Sequence, residues 1–201
     1  MVGTFLGLIL FPREIFEEVI KQKKYTYFLF FTILSGVAIG FDRTIGSNLG
    51  NSIDLFQVIG LIIALGVLFS PIYIGVFSFV IGVGLSIFKM KIEKKMLRTL
   101  VAYCQMPTIL HLLLFVPVQI FLVRSELFCA QTPTIDSTPH LALLMLIDSI
   151  VALLCNIWML ILVIKAVKEA TDLSTGKAFI SVLFIPGIIL LGVFFINTFA
   201  W

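Results

Sequence analysis

The chain has 201 residues, of which 60% are hydrophobic and 12% charged, about half the charged fraction of a typical soluble protein. That composition excludes a soluble globular enzyme. The formal net charge of +3 implies no nucleic acid, because the basic residues bracket long apolar runs, as membrane topology requires.

Met1 to Phe11 are apolar but too short to cross a bilayer, and they lack the basic start and small-residue cleavage site of a signal peptide. Glycine stands at position 3 rather than 2, so the myristoylation pattern fails. Pro12 stands where a helix can begin, with Glu14, Glu17 and Glu18 in its early turns and Lys21, Lys23 and Lys24 towards its end. That order of charge suits the helix dipole. Ile15, Phe16, Val19 and Ile20 share one face, so the spacing predicts an amphipathic helix over 12–24 lying in the membrane interface.

Charge-free runs follow at Tyr25–Phe41, Leu55–Phe88, Thr99–Val123 and Ala178–Trp201, and a fifth from Ser137 to Ile164 is broken only by Asp148. Each is close to or above the ~17–25 residues that cross ~30 Å of hydrocarbon as a helix. The expected architecture is all-α: an interfacial segment over 1–24, then a five-span transmembrane bundle over 25–201. The spans fall at about 25–41, 58–88, 100–123, 141–166 and 178–199. Pro71 is expected to kink the second. Two crossings within 55–88 are rejected, since each half would be only marginally long and the basic loop after them would change sides.

The segments before span one, after span two and after span four hold 12 of the 14 Lys and Arg. Under the positive-inside rule this places the N-terminus in the cytoplasm and the C-terminus outside. The two opposite loops, near Asp42–Asp54 and Arg124–His140, carry Gly46, Asn48, Gly50, Asn51, Pro133 and Pro139 and read as turn-forming linkers. Thr32, Gly36 and Gly40 in span one, and Ser78, Gly82 and Ser86 in span two, recur every four residues. Small residues on one face let helix backbones approach, so both stripes are expected to pack within the bundle.

Polar groups inside the spans are where chemistry would have to sit. Asp148 is the one charged residue placed well within a span, and an intramembrane carboxylate calls for a partner. At 1.5 Å per residue Asp148 lies ~7 Å and Gln119 ~10 Å to the outer side of the midplane, with His111 nearly central. His111 and Gln119 are therefore the candidate partners by depth. Asn197 could join them, and Gln105 and Asn156 are expected to bond across helices nearer the cytoplasm. This set reads either as a polar path or as a structural pair joining helices.

Cys104, Cys129 and Cys155 make no disulfide framework. No zinc, haem, phosphate-loop or nucleophile motif is present, so neither a cofactor nor a metal site is expected, nor an enzyme. Lys89, Lys91, Lys94, Lys95 and Arg98 form a juxtamembrane basic cluster of the kind that contacts anionic lipid headgroups.

Phe11-Pro12 leading into a short amphipathic helix, a basic loop before span three, Ala102-Tyr103-Cys104-Gln105-Met106-Pro107 opening that span, Asn156-Ile157-Trp158 inside span four and Lys177-Ala178 opening span five occur in this order. Together they resemble the Yip-domain family of membrane proteins over roughly residues 11–199. The resemblance implies five spans with a cytoplasmic N-terminus and a role in organising membranes or partner proteins. Trafficking members of that family bind small GTPases, but they carry a longer N-terminal region and an Asp-Leu-Tyr-Gly-Pro motif that this sequence lacks. GTPase binding is therefore not carried over. The chain is more similar to minimal prokaryotic members, and a bacterial inner membrane is the expected location. A homodimer or another membrane protein is the expected protein partner. The competing reading is a small transporter, channel or lipid-moving protein with its path at Asp148, His111 and Gln119.

Overall fold

Every regular element formed by the described residues is helical in the computed structural model, which describes residues 7–23, 25–45, 47–129 and 131–188. Helix α1 spans Pro12–Gln22, α2 Phe28–Thr44 and α3 Leu55–Ile87. Helices α4 (Lys94–Cys104), α5 (Met106–Leu114) and α6 (Val116–Val123) follow as one interrupted run. Short α7 (Pro133–Ser137) precedes α8 (Pro139–Thr171), and α9 (Thr175–Phe179) continues through a π-helical turn at Ile180–Phe184. Among the described residues three stretches are long and apolar enough to cross a membrane: Leu55–Ile87, Lys94–Phe128 and Pro139–Thr171. Side chains such as Phe56 (85% exposed) and Phe121 (83%) face outward on them, as lipid-facing groups do. Lys24, Gly46, Asn197, Trp201 and the second half of the expected fifth span lie outside the described residues.

Several boundaries differ from the sequence reading. The first apolar helix runs 28–44 rather than 25–41. Helix α3 is continuous through Pro71 for 33 residues, which bears out a single element there. Proline lacks the N–H that would bond the carbonyl four residues back, at Val67; the Ser70 hydroxyl donates to that oxygen at 3.0 Å instead. The expected third span is broken at Gln105 and Phe115, each two residues before a proline, Pro107 and Pro117.

The contacts divide the chain into two compact units. Of the described residues, the first comprises those within 7–28, 74–104 and 160–188, and the second those within 29–73 and 105–159. In the first, α1 docks on α4 and buries Phe16 and Val19. Its apolar face is thus spent on protein packing, whereas the sequence suggested lipid; Leu10 and Phe11 remain exposed. Arg13 reaches Glu169 at 3.4 Å, and Lys23 pairs with Glu93 at 3.9 Å. Arg13 and Lys21 also bracket Glu17 at 3.1 and 2.9 Å, and the Lys21 hydrogen bond and charge hold the Glu17 carboxyl below its ordinary pKa. A close backbone approach sets Gly84 against the Ser181 carbonyl, where any side chain would collide. Of the Ser78/Gly82/Ser86 stripe, Ser78 is buried and Gly82 lies beside Leu97 with room for a methyl group, but Ser86 is exposed.

In the second unit the other stripe is borne out. Gly36 lies against the Gly66 carbonyl and Ser70, and Gly66 in turn against the Val37 backbone, so α2 and α3 meet backbone to backbone. Ala38, Phe41, Val58, Ile62, Leu112, Val116 and Phe128 form one apolar core beside that contact. The two linkers are more ordered than their composition suggests. Their 3-10 turns, Asn48–Asn51 and Arg124–Phe128, pack together, with Gly50 against the Ser125 carbonyl and Cys129.

Candidate functional site

Two prolines shape the second unit's polar centre. Pro107 and Pro117 each open a helix, where a missing N–H costs nothing, and they split the run so that His111 lies on α5 and Gln119 on α6. Asp148 comes from α8. His111 Nε2 lies 2.8 Å from Asp148 Oδ1, with the two side chains only 9% and 12% exposed. A carboxylate can only accept, so against ionised Asp148 the ring donates from Nε2. Phe115 stacks on the imidazole at 5.3 Å between centroids and fixes its plane. Depth along the spans matches His111 with Asp148, and the structure joins them.

Gln119 does not bond Asp148, yet both line one cavity of about 240 Å³, together with Glu126, Cys129, Thr132 and Ser149. Neither polar atom of the buried Gln119 amide has a partner among the described residues. Glu126 accepts from the backbone N–H groups of Thr134 and Ile135 at 3.1 and 3.3 Å, satisfying the exposed start of α7. A side-chain hydrogen bond from Thr134 first, and these backbone bonds after it, hold the Glu126 carboxyl below its ordinary pKa although burial opposes them. Sequence alone does not point to Glu126 and Thr132, because loop residues acquire a depth only once the loop folds back; Ser149, next to Asp148 on α8, carries no signal beyond a small polar side chain.

The remaining described intramembrane candidates do not join this site. Asn156 is exposed and donates from Nδ2 to Ala152 O of its own helix at 2.9 Å, so the expected bond across helices to Gln105 is absent. Gln105 is buried, with its Nε2 unpartnered among the described residues. Asn197 lies outside the described residues. Among the described residues no three His, Cys, Asp or Glu side chains are grouped to hold a metal ion.

A second, basic constellation lies in the first unit. Its described residues hold eleven Lys and Arg against six Asp and Glu, whereas the second unit holds two against five. Lys89, Lys91, Lys94, Lys95 and Arg98 are all exposed. Lys95 Nζ stands 4.3 Å over the Tyr25 ring, a cation–π contact that ties the loop to the chain after α1. Lys89 has φ 58, and the N–H groups of Lys89 and Met90 bond the Ser86 and Leu85 carbonyls at 2.9 and 3.1 Å. This closes α3 with a left-handed residue where glycine is usual. Lys94 and Arg98, one turn apart, share a cleft of about 120 Å³ with Ser78, Phe79 and Leu97.

No curated protein and no solved structure matches the chain. The Yip1 domain family model matches residues 6–196, nearly the whole length, and three helices among the described residues are long and apolar enough to cross a membrane. The chain is a membrane protein and belongs to the Yip1 domain family.

Proposed function

We propose that this protein is a non-enzymatic, five-span membrane protein that organises lipid or partner proteins through its basic face, with that face in the cytoplasm of a bacterial cell. The observation that carries the reading is the gathering of basic residues. Three segments far apart in sequence fold into one unit with a surplus of positive charge. The positive-inside rule puts such a surplus on the cytoplasmic side. The cleft beside Lys94 and Arg98 offers two cations above an apolar wall of Phe79 and Leu97, which suits a phosphate headgroup with its acyl chain.

The test is retention of phosphatidylglycerol against phosphatidylcholine on the purified protein, read by native mass spectrometry. Each juxtamembrane cation is worth about 1 kcal/mol near an anionic surface, so Lys91→Gln, Lys94→Gln and Arg98→Gln together are expected to weaken that preference by ~100-fold at low salt. An unchanged preference would remove the basic face from the function.

One observation favours a second reading: the cavity at Asp148 and Gln119 lies beside a buried histidine. In that reading the protein moves protons, small ions or lipid. Liposomes bearing the protein would then show flux above empty ones, and Asp148→Asn, which keeps a hydrogen-bond acceptor for His111, would abolish it. Flux equal in the two proteins would rule out a path through Asp148.

A further inference from the structure

The cavity in the second unit carries an imbalance that its own residues do not resolve. Asp148 uses Oδ1 for His111, and Glu126, Thr132 and Ser149 add further oxygen to the lining, which holds no Lys or Arg. Gln119 is 2% exposed, and both its amide oxygen and its amide nitrogen lack a partner among the described residues. An unmet donor and acceptor cost ~1–3 kcal/mol when buried. Such a side chain, facing a cavity of about 240 Å³, is a recognition group awaiting its complement.

That complement must supply N–H donors and positive charge for the Asp148 carboxylate and the Gln119 oxygen, and an oxygen acceptor for the Gln119 N–H groups. We infer that the cavity binds a primary ammonium bearing an oxygen on a neighbouring carbon, the chemistry of an ethanolamine group. A quaternary ammonium has the charge but no N–H, and a hydroxylated anion has the wrong sign. Two sources carry the group: a free amino alcohol, or the headgroup of a phospholipid. Ser149, on the cavity lining, is exposed and neighbours Leu146 (57% exposed), Ile150 (50%) and Leu153 (60%) along α8. The mouth at Ser149 is therefore flanked by apolar side chains, where a lipid can approach. The inference is independent of the basic face, which lies in the other unit, and it requires no transport.

The experiment is native mass spectrometry of the full chain in detergent, titrated with phosphatidylethanolamine, phosphatidylcholine and phosphatidylglycerol of identical acyl chains, and separately with ethanolamine. Phosphatidylethanolamine is expected to bind at least about tenfold more tightly than phosphatidylcholine, since N-methylation removes the donors and leaves the site's acceptors unmet. Gln119→Met is expected to erase that preference while raising the thermal midpoint of the lipid-free protein, because it removes two unpaired polar atoms. A glutamine that served only structure would lower the midpoint instead. Saturable binding of ethanolamine alone that displaces the lipid assigns the site to a free amine, and lipid binding that millimolar ethanolamine leaves intact assigns it to the headgroup. Equal binding of the ethanolamine and choline lipids, an undiminished preference in Gln119→Met, or a cavity that takes up water only would overturn the inference. Phosphatidylglycerol separates this outcome from the function proposed above: its retention follows the lysine and arginine variants and is unmoved by Gln119→Met.

Discussion

Gly66→Val is expected to lower stability by about 3 kcal/mol, at the upper end of the cost of overpacking a well-filled interior. A Cβ at Gly66 would stand 2.8 Å from the Val37 Cα, and 2.9 Å from both the Gly36 carbonyl oxygen and the Val37 nitrogen. All three atoms are backbone, so relief requires α2 to move as a body rather than a side chain to rotate. In lipid this matters more than in water, because close backbone packing replaces the hydrophobic drive between helices. The measurement is the unfolding midpoint in detergent, with Gly60→Val as the control. Nothing lies within 4 Å of a Cβ at Gly60, so that variant carries only the propensity change of a β-branched residue, a few tenths of a kcal/mol. Equal losses in the two variants would show that the α2–α3 approach does not hold the unit together.

That contact also marks how far the sequence could be read. Thr32, Gly36 and Gly40 recur at one-turn spacing, and the face they share is the one that packs. Gly66 and Ser70 have the same spacing on α3, a signal present in the sequence but hidden within an apolar run. The stripe chosen there, Ser78/Gly82/Ser86, proved less important than Gly84, whose partner is a carbonyl about a hundred residues away. Spacing along one helix reveals a smooth face but not the helix that will lie on it.

Depth was more legible than direction. A fixed rise of 1.5 Å per residue turns span boundaries into heights, and so His111 could be matched with Asp148 before any fold was known. Angular position could not be obtained in the same way. Helix α8 is apolar nearly all round, leaving no polar face by which to tell that Asp148 points inward and Asn156 outward. On the α5–α6 run, the break at Phe115 resets the angle between His111 and Gln119. Pro107 and Pro117 announced such breaks, since proline suits the start of a helix, whereas in the middle the freed carbonyl needs another donor, as Ser70 supplies at Pro71.

The largest effect in the polar centre should come from Asp148→Leu. It leaves His111 Nε2, now 2.8 Å from Asp148 Oδ1, facing a methyl group. Two magnitudes compete here. Breaking a buried pair in a soluble interior costs ~3–5 kcal/mol, whereas hydrogen bonds between membrane helices average about 0.6 and reach ~1.7 kcal/mol, because the dissociated helices find other partners. The side chains are about nine-tenths buried and Phe115 pins the ring, so His111 has little freedom to find another acceptor. The cavity beside Asp148 lets water soften the loss. The expected cost is therefore about 2 kcal/mol for Asp148→Leu, and under 1 kcal/mol for Asp148→Asn, whose amide oxygen still accepts from the ring. His111→Phe keeps the stacking and removes the donor. Adding it to Asp148→Leu should recover most of the loss, so that the double variant is more stable than Asp148→Leu alone. A cycle of the four proteins by equilibrium unfolding in detergent yields the coupling directly. If the two substitutions add without coupling, the pair does not join α5 to α8 energetically, and Asp148 is retained for the cavity it lines rather than for the histidine it touches.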